Sequence, residues 1–412
     1  MRDDFNRAGT PNVQSSGRGL LVALAWLLAA IGSGCTEIPL TGSGNAPDSI
    51  GVVIERASGS VLVVERTRRE TVARIDGLGD LSHASVVFSP DRQFAYVFGR
   101  DGGLTKIDLA TRRIADRIMQ AGNSIGGAIT KDGRLLAVAN YEPGGVKLFD
   151  AKTLALLAEI EAAPGPSGKR SKVVGIADAP GHRFVFSLFE AGEIWVADVA
   201  DPRTPRITRH AGVGRLPYDG LVTPDGRHYI AGLFGEDGLA LLDLTRPDAK
   251  VVRILDGYGR GNERLPVYKM PHLRGWAIAG DYAFLPAIGK HEVLVVNRHT
   301  WQAVTRIAVH GQPVFVMGRP GGGQVWVNFA HPRNDHVQVI DVSRLALTET
   351  LAPGKAVMHM EFTNAGNEIW ISARDDDRVV VYDANRFMRQ GEVAARSPSG
   401  IFFTWRADRI GL

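Results

Sequence analysis

The sequence predicts an all-β fold, an eight-bladed β-propeller, and three observations support that prediction. From residue 50 onward a unit of about 40 to 55 residues repeats, with turn, strand, loop and strand in the same order. No apolar period of about 3.6 residues, typical of an amphipathic helix, follows residue 50. The Gly-rich stretches stand between predicted strands and not between a strand and a helix, which excludes α/β dinucleotide-binding folds.

Seven of the repeated units are complete. Each has a Pro-Asp, Asp-Gly or similar turn, such as that at 223–226, followed by a short apolar strand. A second strand follows a Gly-rich or charged loop and often closes on an Asp, as at 147–150. The 48 glycines of the chain suit a fold with many tight turns, because Gly adopts positive φ without steric cost.

The eighth unit is split between the two ends of the chain. Its middle strands are predicted at 51–55 and 61–65, and its missing inner strand at 399–405. Pairing the two ends in one blade closes the ring and leaves no open sheet edge. The sequence therefore predicts a propeller over residues 50–412 whose ring is closed by N- and C-terminal strands.

The N-terminus predicts export. A polar stretch is followed by 12 apolar residues at 20–31, too short to cross about 30 Å of hydrocarbon but typical of a signal peptide. The next residues, Gly32-Ser-Gly-Cys35, resemble a lipoprotein cleavage site, apart from Gly32 where Leu is usual. We expect residues 1–34 to be a signal peptide, Cys35 to be lipidated and 35–49 to be a flexible tether in the periplasm. Ordinary cleavage near Ser33 or Gly34, giving a soluble exported protein, is the alternative.

Composition excludes several function classes. The net charge is +4, and no Lys/Arg-rich tract is present, so nucleic-acid binding is not expected. Cys35 is the single cysteine, which excludes an intrachain disulfide, a C-x-x-C-H haem attachment and a C-x-x-C zinc pair. The basic excess remains compatible with a pocket for a ligand that carries several carboxylates.

Blade geometry predicts one functional face, named here the rim. The loop that enters the first strand of a blade and the loop that joins its second and third strands emerge on the same side, because successive strands alternate in direction. Imidazole, basic and phenolic side chains recur in these loops, a set that suits an iron macrocycle with carboxylates. The candidates are His83, Arg100, Lys169, Arg170, Lys172, Tyr218, His272 and His359.

Each candidate also has a purely structural interpretation. The chain has 11 histidines, so some must lie near the channel by chance, and the argument depends on their recurrence at one blade position. His331 and His336 are five residues apart in one loop, a poor spacing for a metal pair, and are interpreted as rim residues. Asp178 lies at the far end of a first strand and is typical of a turn-capping Asp.

Six stretches carry a family resemblance. They are GLGDLSHAS at 77–85, GRDGGLTK at 99–106, NYEPGGVK at 140–147, SGKRSKVVG at 167–175, KMPHL at 269–273 and HMEF at 359–362. Through them the chain from residue 50 onward resembles the NirF family, exported propellers required for haem d1 biosynthesis. That family is in turn similar to the haem d1 domain of dissimilatory nitrite reductase.

The resemblance implies a bound ligand and residue roles. It implies an iron-containing late tetrapyrrole, haem d1 or its dihydro precursor, with no cofactor of the protein's own. In the reductase a His before a blade whose next loop reads Gly-Arg-Asp-Gly ligates the iron, a pattern that His83 and 99–102 match. The family's recurring Asp matches Asp178, so His83, Asp178 and His272 are the catalytic candidates. Arg100, Lys169, Arg170, Lys172, Tyr218 and His359 are the substrate-binding candidates.

The resemblance leaves the activity open between three hypotheses. The chain lacks the cytochrome c domain of the reductase, so nitrite reduction with its own electron supply is not expected. It is an enzyme that acts on the precursor, by dehydrogenase-type oxidation or by side-chain modification, a carrier that delivers the tetrapyrrole, or a lipid-anchored scaffold. The implied partners are other haem d1 maturation proteins, nitrite reductase, the membrane through the lipid, and a second copy in a homodimer.

Overall fold

The computed structural model describes residues 49–246, 248–257, 276–287 and 290–409. In this part of the chain the regular structure consists of 32 β-strands and two short 3-10 turns. The strands are β1 (Ile50–Glu55), β2 (Ser60–Glu65), β3 (Glu70–Ile75), β4 (Ser85–Phe88), β5 (Phe94–Phe98), β6 (Gly103–Asp108), β7 (Arg113–Met119), β8 (Asn123–Ile129), β9 (Leu135–Glu142), β10 (Gly145–Asp150), β11 (Leu156–Ile160), β12 (Val173–Ala179), β13 (Arg183–Leu188), β14 (Glu193–Asp198), β15 (Arg206–His210), β16 (Pro217–Val222), β17 (His228–Leu233), β18 (Leu239–Asp243), β19 (Val252–Ile254), β20 (Ala277–Ala279), β21 (Tyr282–Ala287), β22 (Glu292–Asn297), β23 (Ala303–Ala308), β24 (Pro313–Gly318), β25 (Gln324–Phe329), β26 (Val337–Asp341), β27 (Ala346–Leu351), β28 (Val357–Phe362), β29 (Glu368–Ala373), β30 (Arg378–Asp383), β31 (Arg389–Ala394) and β32 (Pro398–Phe403). The 3-10 turns are Arg374–Asp376 and Thr404–Asp408.

The strands form eight four-stranded antiparallel sheets. Blades 1 to 7 take four consecutive strands each, from β4–β7 to β28–β31, and blade 8 combines β32 with β1, β2 and β3. The first strands of neighbouring blades contact one another, for example β4 with β8 and β28 with β32, so they line the centre of the ring. The predicted eight-bladed propeller is confirmed.

Local turn chemistry explains why the sequence folds into these hairpins. After β8, Thr130 Oγ1 donates to Asp132 Oδ1 at 2.6 Å and accepts from the Leu135 N–H at 3.1 Å, which fixes the turn into β9. At the end of β6, Asp108 Oδ1 accepts from the N–H groups of Ala110 and Thr111, both at 2.9 Å. This Asx turn explains why third strands so often close on an Asp.

Ring closure occurs as predicted. β1 pairs with β32 in antiparallel register, with Gly51 opposite Phe403 and Val53 opposite Ile401. Beyond β32, the Trp405 indole N–H donates to the Phe362 carbonyl at 3.0 Å, which ties blade 8 to blade 7. The C-terminal strand is therefore held both within its own sheet and by its neighbour.

The core lies between the faces of adjacent blades. Every residue of β1 and β2 is buried, whereas the outermost strand β7 is exposed or half-buried throughout. Three tryptophans on middle strands, Trp195, Trp326 and Trp370, are fully buried. Because both faces of the middle strands are covered, their sequences are almost continuously apolar.

A close approach at Gly175 positions blades 3 and 4. Gly175 lies at a register shift in β12 and has φ +62°. A Cβ there would stand 2.8 Å from the Tyr218 carbonyl oxygen and 2.6 Å from the Tyr229 hydroxyl. Glycine is therefore required both by conformation and by space, and it allows the two first strands to lie side by side.

Several predictions fall on residues outside the described part of the chain. These are Cys35 with the rest of residues 1–48, and His272 with the KMPHL stretch. Lipidation, the signal peptide, the tether and the role of His272 stay predictions. Among the described residues, no helix is long and apolar enough to cross a membrane.

Candidate functional site

His83 and Arg100 lie together at the rim end of blade 1. Ser85 pairs with Phe98 in the β4–β5 hairpin. His83 lies two residues before Ser85 and Arg100 lies two residues after Phe98, so both are at the same end of this hairpin. The Arg100 backbone N–H donates to the Asp80 backbone carbonyl at 2.8 Å, and this bond ties the loop of Arg100 to the segment that carries His83. His83 is half-buried and Arg100 is exposed. The arrangement presents an imidazole and a guanidinium from one hairpin on one face.

Four aromatic side chains, named here the aromatic cluster, lie on the same face over blades 2 to 4: Tyr141, Phe189, Tyr218 and Phe234. The Tyr141 and Tyr218 hydroxyls are hydrogen-bonded at 2.9 Å. The Phe189 ring meets the Tyr218 ring edge-on at 5.6 Å between centroids and lies 6.0 Å from Phe234. All four come from rim ends of strands or from second-to-third loops. They form an apolar wall with two polar tips.

Both tyrosine hydroxyls of the aromatic cluster are protonated at neutral pH. Burial raises the pKa of Tyr218 to about 12; the hydrogen bond with Tyr141 and the charge of Arg100 oppose this rise, and Asp219 adds to it. Burial and the Tyr218 hydroxyl raise the pKa of Tyr141 further, again against the effect of Arg100. Since one hydroxyl donates to the other, the pair retains one hydroxyl proton for a further acceptor.

Lys172 and Glu190 form an ion pair beside the aromatic cluster. Lys172 Nζ lies 2.8 Å from Glu190 Oε1 and 5.8 Å and 5.6 Å from the ring centroids of Tyr141 and Phe189. The Ser171 hydroxyl donates to Glu190 Oε2 at 3.1 Å. Burial opposes ionisation of Glu190, but the bonds from Lys172 outweigh it and lower the pKa of this carboxyl. The ammonium is thereby held against the rings.

A group of three arginines, Arg56, Arg100 and Arg374, lies on the rim between blades 7, 8 and 1. Burial lowers the pKa of the Arg56 guanidinium, and the positive charges of Arg374 and Arg100 lower this pKa further. The negative charge of Asp80 acts in the opposite direction. Arg374 is paired with Asp375 through Nε at 2.6 Å. Guanidinium groups within electrostatic range of one another favour a bound anion, such as a carboxylate.

Sequence reasoning missed Arg56 and the pairing of the tyrosines. Arg56 follows β1, the second strand of the split blade, so the loop rule applied to blade 8 would have identified it. The Tyr141–Tyr218 contact joins blades 2 and 4, and no local sequence signal reports such a contact.

Two of the predicted basic residues, Arg170 and Lys169, are not among the described groups seen in contact with the aromatic cluster, and Arg170 is held by glutamates. Arg170 pairs with Glu159 at 3.5 Å and with Glu161, both on or after the outermost strand of blade 2. Lys169 is exposed, and its backbone N–H donates to the Ser167 hydroxyl at 3.5 Å. Of the predicted Lys-Arg-Ser-Lys run, Lys172 is the residue that the structure brings to the aromatic cluster.

His359 and Asp178 lie away from the rim surface. His359 is buried in β28 between the rings of Phe315 and Phe402, and its Nδ1 accepts from the Ile401 N–H at 3.2 Å. Asp178 is the sixth residue of β12, about 16 Å along the strand from its rim end at ~3.3 Å per residue. It lines a small cavity with Lys131 and Arg406 at the opposite end of the channel. His359 therefore bridges blades 7 and 8, and Asp178 is separated from His83.

The rim can hold a planar, polyanionic ligand. His83 offers a nitrogen for a metal centre, the aromatic cluster offers ring faces, and the arginine group and Lys172 offer positive charge. These groups come from blades 1, 2, 3, 4, 7 and 8 and converge on one face. Positive charge beside aromatic rings suits a planar ligand that carries several carboxylates.

Comparisons with known proteins give close matches over the whole ring. The family model described as the cytochrome D1 heme domain matches residues 45–407. The chain is 58% identical over 391 residues to Protein NirF of Pseudomonas aeruginosa, covering 94% of this chain and 99% of that protein. It is 56% identical over 389 residues to Protein NirF of Stutzerimonas stutzeri, covering 94% and 98%.

More distant matches relate the chain to an enzyme. Dihydro-heme d1 dehydrogenase of Pseudomonas aeruginosa is 29% identical over 363 residues, which covers 86% of this chain and 71% of that protein. A solved structure of dihydro-heme d1 dehydrogenase NirN in complex with DHE has a TM-score of 0.76 and 26% identity, covering 88% of this chain and 77% of that one. The second match extends the likeness from sequence to fold.

Proposed function

Because this chain belongs to the NirF family, we propose that it takes part in haem d1 biosynthesis and that its rim binds an iron-containing late tetrapyrrole precursor. The observation that supports this most is the convergence of His83, the aromatic cluster and the arginine group on one face. The fold and sequence likeness to NirN, whose solved complex contains DHE, supports the same ligand class.

The proposed roles follow from the chemistry of each group. His83 donates a ring nitrogen to the iron as axial ligand. Arg100, with Arg56 and Arg374, pairs with carboxylates of the macrocycle, and Lys172 supplies a further positive charge. Tyr141 and Tyr218 pack against the ring and offer one hydroxyl proton to an oxygen of the ligand.

We propose oxidation of the precursor as the activity, since the likeness to dihydro-heme d1 dehydrogenase favours it. Such a step removes two protons and two electrons and needs an external electron acceptor. A carrier function is the second candidate. The Lys172–Glu190 pair favours a carrier. The Glu190 carboxylate is ionised and hydrogen-bonded, so it is a weak base for taking up the protons that oxidation of the precursor releases.

Titration with dihydro-haem d1 and with haem d1 tests binding. We expect saturable changes in the absorption spectrum, and His83→Ala should shift the bands or weaken binding about tenfold or more. His299→Ala is the matched control, because His299 is exposed in a third-to-fourth turn on the opposite face. An unchanged spectrum and affinity in His83→Ala would remove the axial assignment.

Turnover separates the two candidate activities. The bound dihydro-haem d1 is incubated with a chemical electron acceptor and its mass is followed. A product lighter by two hydrogens supports the enzyme, whereas unchanged ligand that transfers to added nitrite reductase or a maturation protein supports the carrier. Failure to bind either tetrapyrrole would contradict both and leave the scaffold.

We propose a periplasmic, lipid-anchored location on the basis of residues 20–35. Fractionation of cells tests it. Wild-type chain should be recovered with membranes, and Cys35→Ser should be recovered in the soluble periplasmic fraction. Recovery of both proteins in the same fraction would contradict the lipid anchor.

A further inference from the structure

Three metal-ligating side chains meet where blades 5 and 6 adjoin on the rim face. His310 lies in the loop that leads from β23 into β24, and Asp335 and His336 lie in the loop between β25 and β26. One ligand atom from each of the three falls within 4.8 Å of the other two. The sequence spacing of His331 and His336 argues against a metal pair within their loop. The fold instead brings His336 next to His310, a histidine of another loop.

Neighbouring groups hold these side chains in position. The His310 backbone N–H donates to Gln338 Oε1 at 2.8 Å, and the His310 ring packs edge-on against Phe329 at 5.5 Å. The His310 and His336 ring centroids are 4.6 Å apart, and His336 Nδ1 lies 2.7 Å from Asp335 Oδ1. A group fixed by its surroundings loses little side-chain entropy when it binds an ion.

This group is separate from the proposed tetrapyrrole site. His310 follows the outermost strand of blade 5, and His336 precedes the third strand of blade 6. The groups assigned to the tetrapyrrole lie on blades 1 to 4, 7 and 8. The two sites therefore lie over different blades of the same face.

We infer that His310, Asp335 and His336 bind one divalent transition metal ion of the zinc class. Two imidazole nitrogens and one carboxylate oxygen match the ligands of Zn²⁺ and disfavour Ca²⁺ and Mg²⁺, which take oxygen ligands. Three protein ligands leave a fourth position for water. Coordination through His336 Nδ1 would replace the Asp335–His336 hydrogen bond, and the neutral ring would then carry its one proton on Nε2.

Zinc binding to the purified, untagged chain without tetrapyrrole tests the inference. Equilibrium dialysis should give one Zn²⁺ per chain, with affinity lowered about tenfold or more in His310→Ala, in His336→Ala and in Asp335→Asn. His331→Ala removes an exposed imidazole from the same loop and is the matched control, expected to bind as the wild type does. Equal zinc binding by all four variants, or no zinc bound by the wild type, would overturn the assignment.

Cobalt gives a second, independent readout. Co²⁺ bound in a four-coordinate site should give visible absorption bands in the wild type that Zn²⁺ abolishes by displacement, and His336→Ala should lack them. Zn²⁺ should also raise the Tm of the wild type and not that of Asp335→Asn, because a ligand stabilises the state that binds it. If His310→Ala fails to fold, the Asp335→Asn and cobalt results decide the question. Unchanged cobalt bands in His336→Ala would contradict the site.

Discussion

The buried ion pair between Glu361 and Arg406 joins the last complete blade to the closing blade. Glu361 lies in β28, and Arg406 lies in the 3-10 turn after β32. The Arg406 guanidinium donates through Nε to Oε1 at 2.6 Å and through Nη2 to Oε2, and the side chains are 5% and 1% exposed. Glu361→Gln removes the negative charge, keeps the size of the side chain and leaves the guanidinium buried.

The expected cost follows from burial. Removing one partner of a buried ion pair costs about 3–5 kcal/mol, because the other charge is left uncompensated. Gln can still accept one hydrogen bond, so we expect about 3 kcal/mol for Glu361→Gln. With about 2.1 cal/mol/K of unfolding entropy per residue over about 360 residues, the Tm should fall by roughly 4 °C.

Differential scanning calorimetry measures the effect, and the same turn supplies a control. Asp408 pairs with Arg92 while its side chain is 61% exposed, so Asp408→Asn should cost no more than about 1 kcal/mol. The double replacement Glu361→Leu with Arg406→Met should recover most of the loss, since apolar side chains can replace a buried pair. Equal Tm values for Glu361→Gln and Asp408→Asn would refute the reasoning.

Three further predictions concern acid stability, the blade contact and the aromatic cluster. Burial opposes ionisation of Asp132, but the Thr130 hydroxyl and the Arg134 backbone and side chain lower the pKa of this carboxyl to about 2 from an ordinary 3.8. The contribution of Asp132 to the free energy of unfolding is therefore complete above pH 3.8 and is lost as the pH falls towards 2. Urea unfolding at a series of pH values should therefore show a shallower acid slope in Asp132→Asn, and an unchanged slope would contradict this. Gly175→Ala should lower the free energy of unfolding by about 1–3 kcal/mol more than Gly168→Ala does, as measured by urea unfolding. Both glycines have positive φ, but open space surrounds Gly168, whereas a Cβ at Gly175 would meet the neighbouring blade. Equal losses of stability in the two variants would show that the close contact at Gly175 is relieved. Tyr218→Phe should weaken tetrapyrrole binding about three- to tenfold by the loss of one hydrogen bond, while Tyr282→Phe on the opposite face should not, and equal affinities would remove Tyr218 from the site.

The fold could be predicted because its signals are local and repeated. Each Thr-x-Asp turn and each Asx turn is specified by residues a few positions apart, as Thr130 with Asp132 and Asp108 with Thr111 show. The family resemblance carried by the motif stretches is likewise confirmed by the relatives. The face shared by His83, Arg100 and Tyr218 followed from the alternation of strand direction alone.

The site was harder to predict because its details depend on contacts between blades. Arg170 belongs to the basic run, yet glutamates of the preceding blade hold it. His359 shares its blade position with other candidates, yet rings from neighbouring blades enclose it. The pairing of His310 with His336 joins two loops that no sequence spacing relates. Such contacts are set by how blades pack, which short motifs do not encode.

The pairing of Gly51 with Phe403 has a consequence for the order in which the molecule assembles. Strands β1, β2 and β3 are synthesised before the other described strands, and their sheet is complete only once β32, the last of these strands, has been made. Until then the incomplete ring exposes the edge of β1, a surface open to pairing with other chains. A contact between residues so far apart in the sequence also raises the contact order, which slows folding. Loss of even the final ten described residues would leave the ring without its closing strand.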